Sequence, residues 1–343
     1  MKETGQVTMG VDIGGSKVAA AVIDEKGNRL SRAEMPSIPD DREAMFKRTV
    51  ECIQEAMDAA HLLPANRAAI GVGVPGKVDR ERGIAVIQNN LPWGNFPLLN
   101  RLRLFFPAPM VLDNDVVMAA QGEWAIRGAD STQSFIYFTI STGIACCIIE
   151  KGRIIRGAGL SGEVGLTFFS GNGGRLEERA AGPAICRWAS RKRQAEVTTR
   201  ETVEAYREKE AWAAAVMEPI LDEWARGLYA VFCLVDPHCL VIGGGVIHRH
   251  PFLLDEIRSR LATLAIKEQR DLPERVFPAI LGGDAGLVGA ALAARSSALP
   301  DSPHAKGRGG ENHGESAGTY RYSSHSTTED TEKAELRGAK ERS

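Results

Sequence analysis

Short apolar stretches alternate with polar turns and amphipathic segments along most of the chain. Runs rich in Val, Ile and Ala predict strands, and apolar residues near helical spacing predict a helix at 40–63, which is followed by a proline. The predicted elements of the first half are strands at 7–13, 18–24, 68–74, 84–87 and 110–112, a further strand from Arg29, and helices at 40–63 and 97–106. Strands that alternate with helices indicate an α/β protein.

The second half of the chain shows the same order of elements. It predicts strands at 135–140, 144–149 and 240–242, and helices at 176–189, 211–235 and 284–295. The tripeptide Glu-Lys-Gly occurs at 25–27 and again at 150–152, each time in a turn after an apolar strand. One tripeptide is weak evidence, but the shared order of strand, polar turn, strand and charged turn predicts a duplicated domain.

The last segment of the chain differs in composition. Residues 297–343 are mostly Ser, Thr, Gly, Glu, Lys, Arg and His, with Leu299 and Leu336 as the only leucines. Such a segment cannot bury enough apolar surface to offset its conformational entropy, so it is expected to be a disordered tail. The folded body is therefore expected over about residues 5–296.

Length, charge and cysteine content exclude several classes of protein. The chain has 343 residues, with 42 basic and 44 acidic side chains and a net charge of −2. Its length fits two domains, and its charge balance argues against a surface for nucleic acid or membranes. No apolar run reaches the roughly 18 residues of a membrane span, and Asp12 and Lys17 interrupt the early apolar stretch, against a signal peptide. Six cysteines without a C-x-x-C pair are typical of reduced thiols, so a cytoplasmic protein is expected.

Three turns that follow predicted strands are rich in glycine or hydroxyl groups. They are D-I-G-G-S-K at 12–17, T-I-S-T-G at 139–143 and V-I-G-G-G-V at 241–246. Glycine lets the backbone approach a phosphate closely, while exposed N–H and hydroxyl groups donate to it. The first turn matches neither the P-loop pattern nor the Rossmann pattern. Each could be only a tight turn, but three of them, two at corresponding positions of the repeat, favour a nucleotide site.

Candidates for proton transfer lie where a strand meets a helix, at Asp113, Asn114 and Asp115. One of these side chains could simply cap the helix, or one aspartate could be a general base for a sugar hydroxyl. The residues themselves leave that choice open. Glu163 lies between glycines, where it could face a ligand or solvent. The amides at 88–90 suit hydroxyl recognition or form a turn.

Together these motifs resemble the ROK family (repressors, open reading frames and sugar kinases) of the hexokinase/actin-like ATPase superfamily. The similar segments are D-I-G-G-S-K at 12–17, G-V-P-G-K-V-D at 73–79, N-L-P-W at 90–93, N-D with A-A and G-E at 114–123, S-T-G-I at 141–144, G-E-V-G at 162–165, L-E at 176–177, and the glycine turns at 243–245 and 282–286. They extend over almost the whole folded body. As a set they are specific, although none of them is specific alone.

The resemblance implies two actin-like (ribonuclease H-like) α/β domains that flank a cleft, at 1–116 and 117–283, with a helix at about 284–296 completing the first. It implies a glucokinase-like sugar kinase that uses ATP and Mg²⁺, has Asp115 as general base and forms a homodimer. The substrate residues would be Gly76, Asn90, Asn114, Glu163 and Glu177. The residues that bind the nucleotide would be Asp12, Gly14, Gly15, Ser16, Lys17, Thr142, Gly143, Gly244 and Gly245. Asp12 would also lie near the metal. Glucose O6 is the default acceptor, and fructose, mannose, N-acylmannosamine and a β-glucoside are alternatives.

Two features depart from the family pattern. ROK members typically carry a histidine directly after G-E-[IV]-G, where it contacts the sugar and often helps to bind a structural zinc, but this chain has Leu166. The zinc loop, normally with three closely spaced cysteines, corresponds to S-G-N-G-G-R at 170–175, so no structural zinc is expected. Because a buried hydrogen-bond partner can discriminate strongly between sugars, these departures affect the identity of the sugar more than the phosphoryl chemistry.

Two rival classes remain at this point. A non-catalytic sugar sensor is favoured by Leu166 and the altered zinc loop, but disfavoured by Asp12, Lys17 and the Asn114-Asp115 pair. Only about eleven residues precede Asp12, so a DNA-binding helix-turn-helix module is not expected. An actin-like filament protein would use ATP but would not need that pair or the sugar-binding amides.

Overall fold

Two five-stranded sheets with the same topology form the framework of the protein. The computed structural model describes residues 7–62, 68–88, 90–168 and 174–298. The strand order is β3-β2-β1-β4-β8 in the first sheet and β11-β10-β9-β12-β13 in the second, and β5-β6-β7 form a small third sheet. The strands are β1 (Thr8–Ile13), β2 (Lys17–Ile23), β3 (Arg29–Pro36), β4 (Ala69–Val74), β5 (Lys77–Asp79), β6 (Ile84–Ile87), β7 (Gly94–Phe96), β8 (Met110–Asn114), β9 (Ser134–Ile140), β10 (Ile144–Glu150), β11 (Arg153–Ile154), β12 (Cys239–Gly243) and β13 (Val276–Pro278).

Each large sheet joins an antiparallel hairpin to two parallel strands. β1 pairs antiparallel with β2 and parallel with β4, and β4 pairs parallel with β8. In the second sheet β9 pairs antiparallel with β10 and parallel with β12, and β12 pairs parallel with β13. This correspondence confirms the duplication that the sequence predicts. In each sheet the ends of parallel strands meet at one edge, which is where ligands bind in open α/β sheets.

Helices accompany the sheets, and side chains accept the first N–H groups of some of them. They are α1 (Arg42–Ala59), α2 (Leu98–Leu102), α3 (Asp115–Ile126), α4 (Leu176–Ala180), α5 (Gly182–Arg193), α6 (Thr199–Arg207), α7 (Ala211–Val235), α8 (Gly245–Arg249), α9 (Leu253–Leu264) and α10 (Ala285–Ala298). At the start of α1, Asp41 Oδ1 accepts the N–H groups of Glu43 and Ala44, both at 2.9 Å. Such caps stabilise a helix by about 1 kcal/mol.

Two of the predicted helices differ most from the helices in the structure. The helix predicted at 176–189 is two helices, α4 and α5, separated at Ala181, because Pro183 lies in the first turn of α5 and cannot donate a helical hydrogen bond. The helix predicted at 97–106 ends at Leu102. Phe106 precedes a proline, which disfavours helical backbone there. The short elements β5, β7, β13, α6 and α9 were not among the predicted ones.

Helix α3 contacts both large sheets, and α10 packs on the first sheet and on α3. Ala19 of β2 and Tyr137 of β9 belong to one buried cluster together with residues of these two helices. α10 also packs closely on the first sheet, since a Cβ on Gly71 would lie 1.8 Å from the carbonyl oxygen of Ala290. The C-terminal helix therefore completes the layer on the N-terminal sheet.

The described part of the chain ends within the segment predicted as a tail. α10 extends to Ala298, two residues past the predicted end of the folded body, and residues 299–343 lie outside the described residues. Among the helices in the described ranges, none has the length and apolar character needed to cross a bilayer.

Candidate functional site

The ends of β1, β4 and β8 bring the predicted site residues of the first half to one edge. Asp12 is paired with Gly73, and Gly73 is paired with Asp113 on the next strand. Asp115 starts α3 directly after β8. A Cβ on Gly73 would lie 3.3 Å from the Cα of Asp115, so this glycine lets the start of α3 approach the sheet. Strand order and this close approach place Asp12 and Asp115 in the same site.

Asp113 is occupied by two arginines. Its Oδ2 lies 2.6 Å from Nη2 of Arg156 and 2.9 Å from Nε of Arg80, and its side chain is only 7% exposed. Its Oδ1 accepts the N–H of Asn114 at 2.9 Å. Both oxygens of this carboxylate are therefore already engaged by donors within the described ranges. Of the three candidates left open by the sequence, Asp113 is thus the least suited to act as a base.

Asn114 and Asp115 divide two tasks at the start of α3. Asn114 Oδ1 accepts the N–H groups of Val116 and Val117 at 2.9 and 3.2 Å, so Asn114 is the helix cap. Its Nδ2 donates to the carbonyl oxygen of Gly76 at 3.0 Å, which fixes the turn after β4. Asp115 Oδ1 accepts the N–H of Val116 at 2.9 Å, and no ion pair holds its carboxylate within the described ranges.

Burial and neighbouring charges raise the pKa values of the two central carboxylates. Burial raises the pKa of Asp115 to about 7, and the charges of Asp12 and Glu163 act in the same direction. Burial also raises the pKa of Asp12 to about 6, although Lys17 and Arg32 lower it. A carboxylate with a pKa near 7 is suited to general base catalysis at neutral pH.

Two glutamates of the second half face the same region. Burial raises the pKa of Glu163, and the charge of Glu177 raises it further. Glu177 lies in the first turn of α4, and its Oε2 would be 3.1 Å from a Cβ on either Gly143 or Gly165. The Glu177 side chain therefore lies between the second glycine turn and the loop that contains Glu163.

The first glycine turn contacts a predicted sugar-binding residue. Gly14 N–H donates to the carbonyl oxygen of Lys17 at 2.8 Å, which closes the turn between β1 and β2. The Ser37 hydroxyl donates to the carbonyl oxygen of Gly14 at 2.6 Å. A Cβ on Gly15 would lie 2.7 Å from the Cβ of Asn90. Gly15, which is predicted to bind the nucleotide, is thus in contact with Asn90, which is predicted to bind the sugar.

The second and third glycine turns lie together in the other half. Ser141 N–H donates to the carbonyl oxygen of Gly143 at 2.9 Å, in the turn between β9 and β10, and Thr142 is exposed there. Gly244 has a φ of +90°, and a Cβ on it would lie 2.3 Å from the carbonyl oxygen of Ile140. Only glycine fits this position, which brings 244–245 next to the second turn.

Arg32 and Glu34, two charged residues near Asp12, were not among the predicted site residues. Lys17, predicted at the phosphates, has its Nζ 2.7 Å from Oε2 of Glu34. Arg32 forms ion pairs with Glu34 and, at 3.2 Å, with Asp284. The signal in the sequence was weak: Asp284 lies in a glycine-rich turn, whereas Arg32 and Glu34 look like ordinary surface residues of a strand.

The model of the ROK family matches residues 8–297 of this chain. The chain belongs to the ROK family. It is 31% identical over 326 residues to a glucokinase of Streptomyces coelicolor, which covers 84% of this chain and 98% of the relative. The structure also resembles a ROK glucokinase from Streptomyces griseus solved with glucose and AMPPNP, with a TM-score of 0.75, 28% identity and coverage of 84% and 99%. A ROK hexokinase from Thermus thermophilus gives a TM-score of 0.70, 30% identity and coverage of 85% and 99%.

These likenesses confirm the resemblance to ROK sugar kinases and the actin-like α/β fold predicted from the sequence. The two departures from the ROK pattern have different outcomes. Leu166 ends a 3₁₀ turn, Val164–Leu166, that directly follows Glu163, and it places an aliphatic side chain where ROK members typically have histidine. Residues 169–173 of the altered zinc loop lie outside the described residues, so the expectation of no structural zinc stays a prediction.

The surroundings of Asp12 fit a magnesium–nucleotide complex. Mg²⁺ prefers carboxylate oxygens and retains several water ligands. Asp12 and Asp115 place two carboxylates in one partly buried region, where a cation would offset the cost of keeping both charged. A Cβ on Gly286 would lie 3.0 Å from Cγ of Asp12, so the glycine at the start of α10 leaves the carboxyl group room. Asp12 and the first glycine turn could thus hold the metal and phosphates.

Proposed function

We propose that this ROK protein transfers the γ-phosphate of Mg·ATP to a hexose hydroxyl, with glucose O6 as the default acceptor and Asp115 as general base. The chain is a sugar kinase, a phosphotransferase with an alcohol group as acceptor. One observation carries the finer assignment: the carboxylate of Asp115 is partly buried near Asp12 and Glu163, and desolvation together with their charges raises its pKa to about 7.

The acceptor sugar would be oriented by polar groups around Asp115. The Nδ2 group of Asn114 donates one hydrogen bond to the carbonyl oxygen of Gly76. Its second N–H could donate to a sugar hydroxyl. Glu163 and Glu177 supply acceptors from the second half, while Asn90 supplies an amide from the side of the first glycine turn. Sugar-binding side chains from both halves of the chain would thus surround one sugar hydroxyl beside Asp115.

Asp115 would accept the proton of that hydroxyl as its oxygen attacks the γ-phosphate in line. Bound Mg·ATP supplies the phosphoryl group and charge neutralisation. Asp12 would hold the metal, while Gly14, Gly15, Ser16 and Lys17 face the phosphates, opposite Thr142 and Gly143. Gly244 and Gly245 would lie near the adenosine. Closure of the two halves over the acceptor would exclude water, which competes with the sugar for the phosphoryl group.

A coupled ADP-release assay with Mg·ATP tests this proposal. The acceptor panel consists of glucose, fructose, mannose, N-acylmannosamine and β-glucosides. Asp115→Asn is expected to lower kcat by about 10²- to 10⁴-fold while the Kd for the sugar changes little. Asp58→Asn, an exposed aspartate on α1, is the matched control. Strong residual turnover in Asp115→Asn would assign the base to another residue.

A sugar sensor without turnover is the second candidate, and Leu166 is the observation that favours it. An aliphatic side chain at this position removes a hydrogen-bonding group next to Glu163. The same panel separates the two candidates. Thermal stabilisation by a sugar with no ADP release would support the sensor, whereas sugar-dependent ADP release would exclude it.

A further inference from the structure

A cavity adjoins the proposed sugar site. Its volume is about 60 Å³, and Gly76, Asn114 and Glu163 form the wall that it shares with the proposed sugar site. About 10–15 Å³ of such space holds one water molecule. The cavity therefore has room for a small group attached to the sugar ring.

Two arginines from different halves of the chain line this cavity. Arg80 follows β5 and Arg156 follows β11, and both are ion-paired to Oδ2 of Asp113. Their side chains are 52% and 30% exposed. Arg80 uses Nε on Asp113 and Arg156 uses Nη2, so each guanidinium retains further N–H donors. Within the described ranges, Nε of Arg156 is buried and has no hydrogen-bond partner.

The N–H groups of the two arginines favour an anionic partner. Arg80 and Arg156 are the cations that line the cavity, and Asp113 and Glu163 are the anions that line it. These charges balance, but both arginines share a single carboxylate, that of Asp113. An added carboxylate would supply acceptors for the arginine N–H groups that Asp113 does not use.

Part of the remaining wall is apolar and suits a short carbon chain. Val78, Val117 and Ile155 line the cavity together with the two arginines. A group that enters the cavity from the ring would thus contact aliphatic side chains as well as the guanidinium groups. An uncharged methyl group in the same place would bury apolar surface but leave the arginine donors without a new partner.

We propose that this cavity is a subsite for a carboxylate that a short linker attaches to the acceptor sugar, bound by Arg80 and Arg156. The inference deepens the proposed function and rests on it, because Gly76, Asn114 and Glu163 set the position of the ring. The preferred acceptor is then a hexose with an acidic substituent. Guanidinium groups bind carboxylates through two parallel N–H bonds, which also select the position of the substituent on the ring.

Matched pairs of sugars test the subsite by binding alone. The probes are glucose carrying a carboxymethyl group at O1 (as the β-glycoside), O2, O3 or O4, each compared with the methyl derivative at the same oxygen. Isothermal titration calorimetry without nucleotide gives both Kd values. At one position or more, the carboxymethyl sugar is expected to bind at least about tenfold more tightly, as charge-assisted hydrogen bonds require. The preference should weaken between about 0.05 and 0.5 M NaCl.

Arginine variants assign the preference to the cavity. Arg80→Gln and Arg156→Gln are each expected to reduce the carboxymethyl-to-methyl affinity ratio at least about fivefold. Arg82→Gln, an exposed arginine in the turn after β5, is the matched control and should keep the ratio. Because the Arg80 side chain is half exposed, Arg80→Gln should fold. If Arg156→Gln does not fold, Arg80→Gln alone decides the test.

Either of two results would overturn the subsite: no carboxymethyl sugar binds more tightly than its methyl partner, or the preference persists in both arginine variants. The kinase is tested separately by ADP release with glucose and the methyl sugars. If that assay fails while the carboxymethyl preference depends on Arg80, the proposed function fails and the subsite stands.

Discussion

Gly15 and Asn90 are packed against each other with no space for a methyl group between them. A Cβ on Gly15 would lie 2.7 Å from the Cβ of Asn90 and 3.0 Å from its carbonyl oxygen. Gly15 belongs to the proposed phosphate turn and Asn90 to the proposed sugar site. The contact therefore ties the position of the acceptor to the position of the phosphates.

Gly15→Ala is expected to impair both substrates. The added methyl must displace the backbone at Asn90 or the turn, and small misplacements of this kind cost about 10²-fold in rate. Steady-state kinetics should show a lower kcat and a higher KM for the sugar. Gly94→Ala, whose Cβ would meet no atom within 4 Å, is the control and should match the wild type. Constants within twofold of wild type in Gly15→Ala would contradict this account of the contact.

The rate is expected to depend on the ionisation of Asp115. Burial and the charge of Asp12 raise the pKa of this carboxyl to about 7, and a general base must be ionised to act. kcat/KM should therefore be full above about pH 8 and fall as pH decreases through about 7, approaching tenfold per pH unit. The profile is measured with both Mg·ATP and sugar limiting, so that it reports the ionisation of the free enzyme without a bound cation. A flat profile down to about pH 5.5 would be incompatible with this assignment.

Because Asp115→Asn removes this carboxyl group, the variant should be more stable than the wild type at high pH. Because the folded-state pKa lies above the ordinary value of 3.8, the folded protein binds this proton more tightly than the unfolded chain. Stability from this group is thus present at low pH and lost as pH rises from about 4 to about 7. The melting temperature of the variant should exceed that of the wild type by about 2–4 °C at about pH 8, and the gap should narrow toward about pH 5. An equal gap at both pH values would speak against a raised pKa.

Gly71→Ala is expected to loosen the C-terminal helix from the first sheet. Its Cβ would lie 1.8 Å from the carbonyl oxygen of Ala290, a backbone atom that can move only with α10. Overpacking at such a contact should lower the free energy of unfolding by at least about 2 kcal/mol, as measured by urea denaturation. Gly94→Ala again provides the control. A loss below about 0.5 kcal/mol would mean that α10 can shift freely.

The chain's local patterns predicted most of the framework. The repeat of strand, glycine turn and strand predicted two matching halves, and the sheets have the same strand order because each repeat carries its own hairpin. The glycine turns and the Asn114-Asp115 pair could be found because close backbone approach and helix capping leave a signature within a few residues. The split between α4 and α5 was mispredicted because Pro183 interrupts a segment whose apolar spacing looked continuous, and α2 is shorter than predicted.

What the sequence by itself determined was the class of fold, the family resemblance and a set of candidate side chains. Only the tertiary structure decided which of them stand together. Asp113 differs from Asp115 because Arg156, 43 residues away along the chain, reaches it from the other half. The pKa of Asp115 likewise depends on Asp12 and on burial beneath distant segments. Charge pairing and desolvation act through space, and no spacing along the chain encodes them.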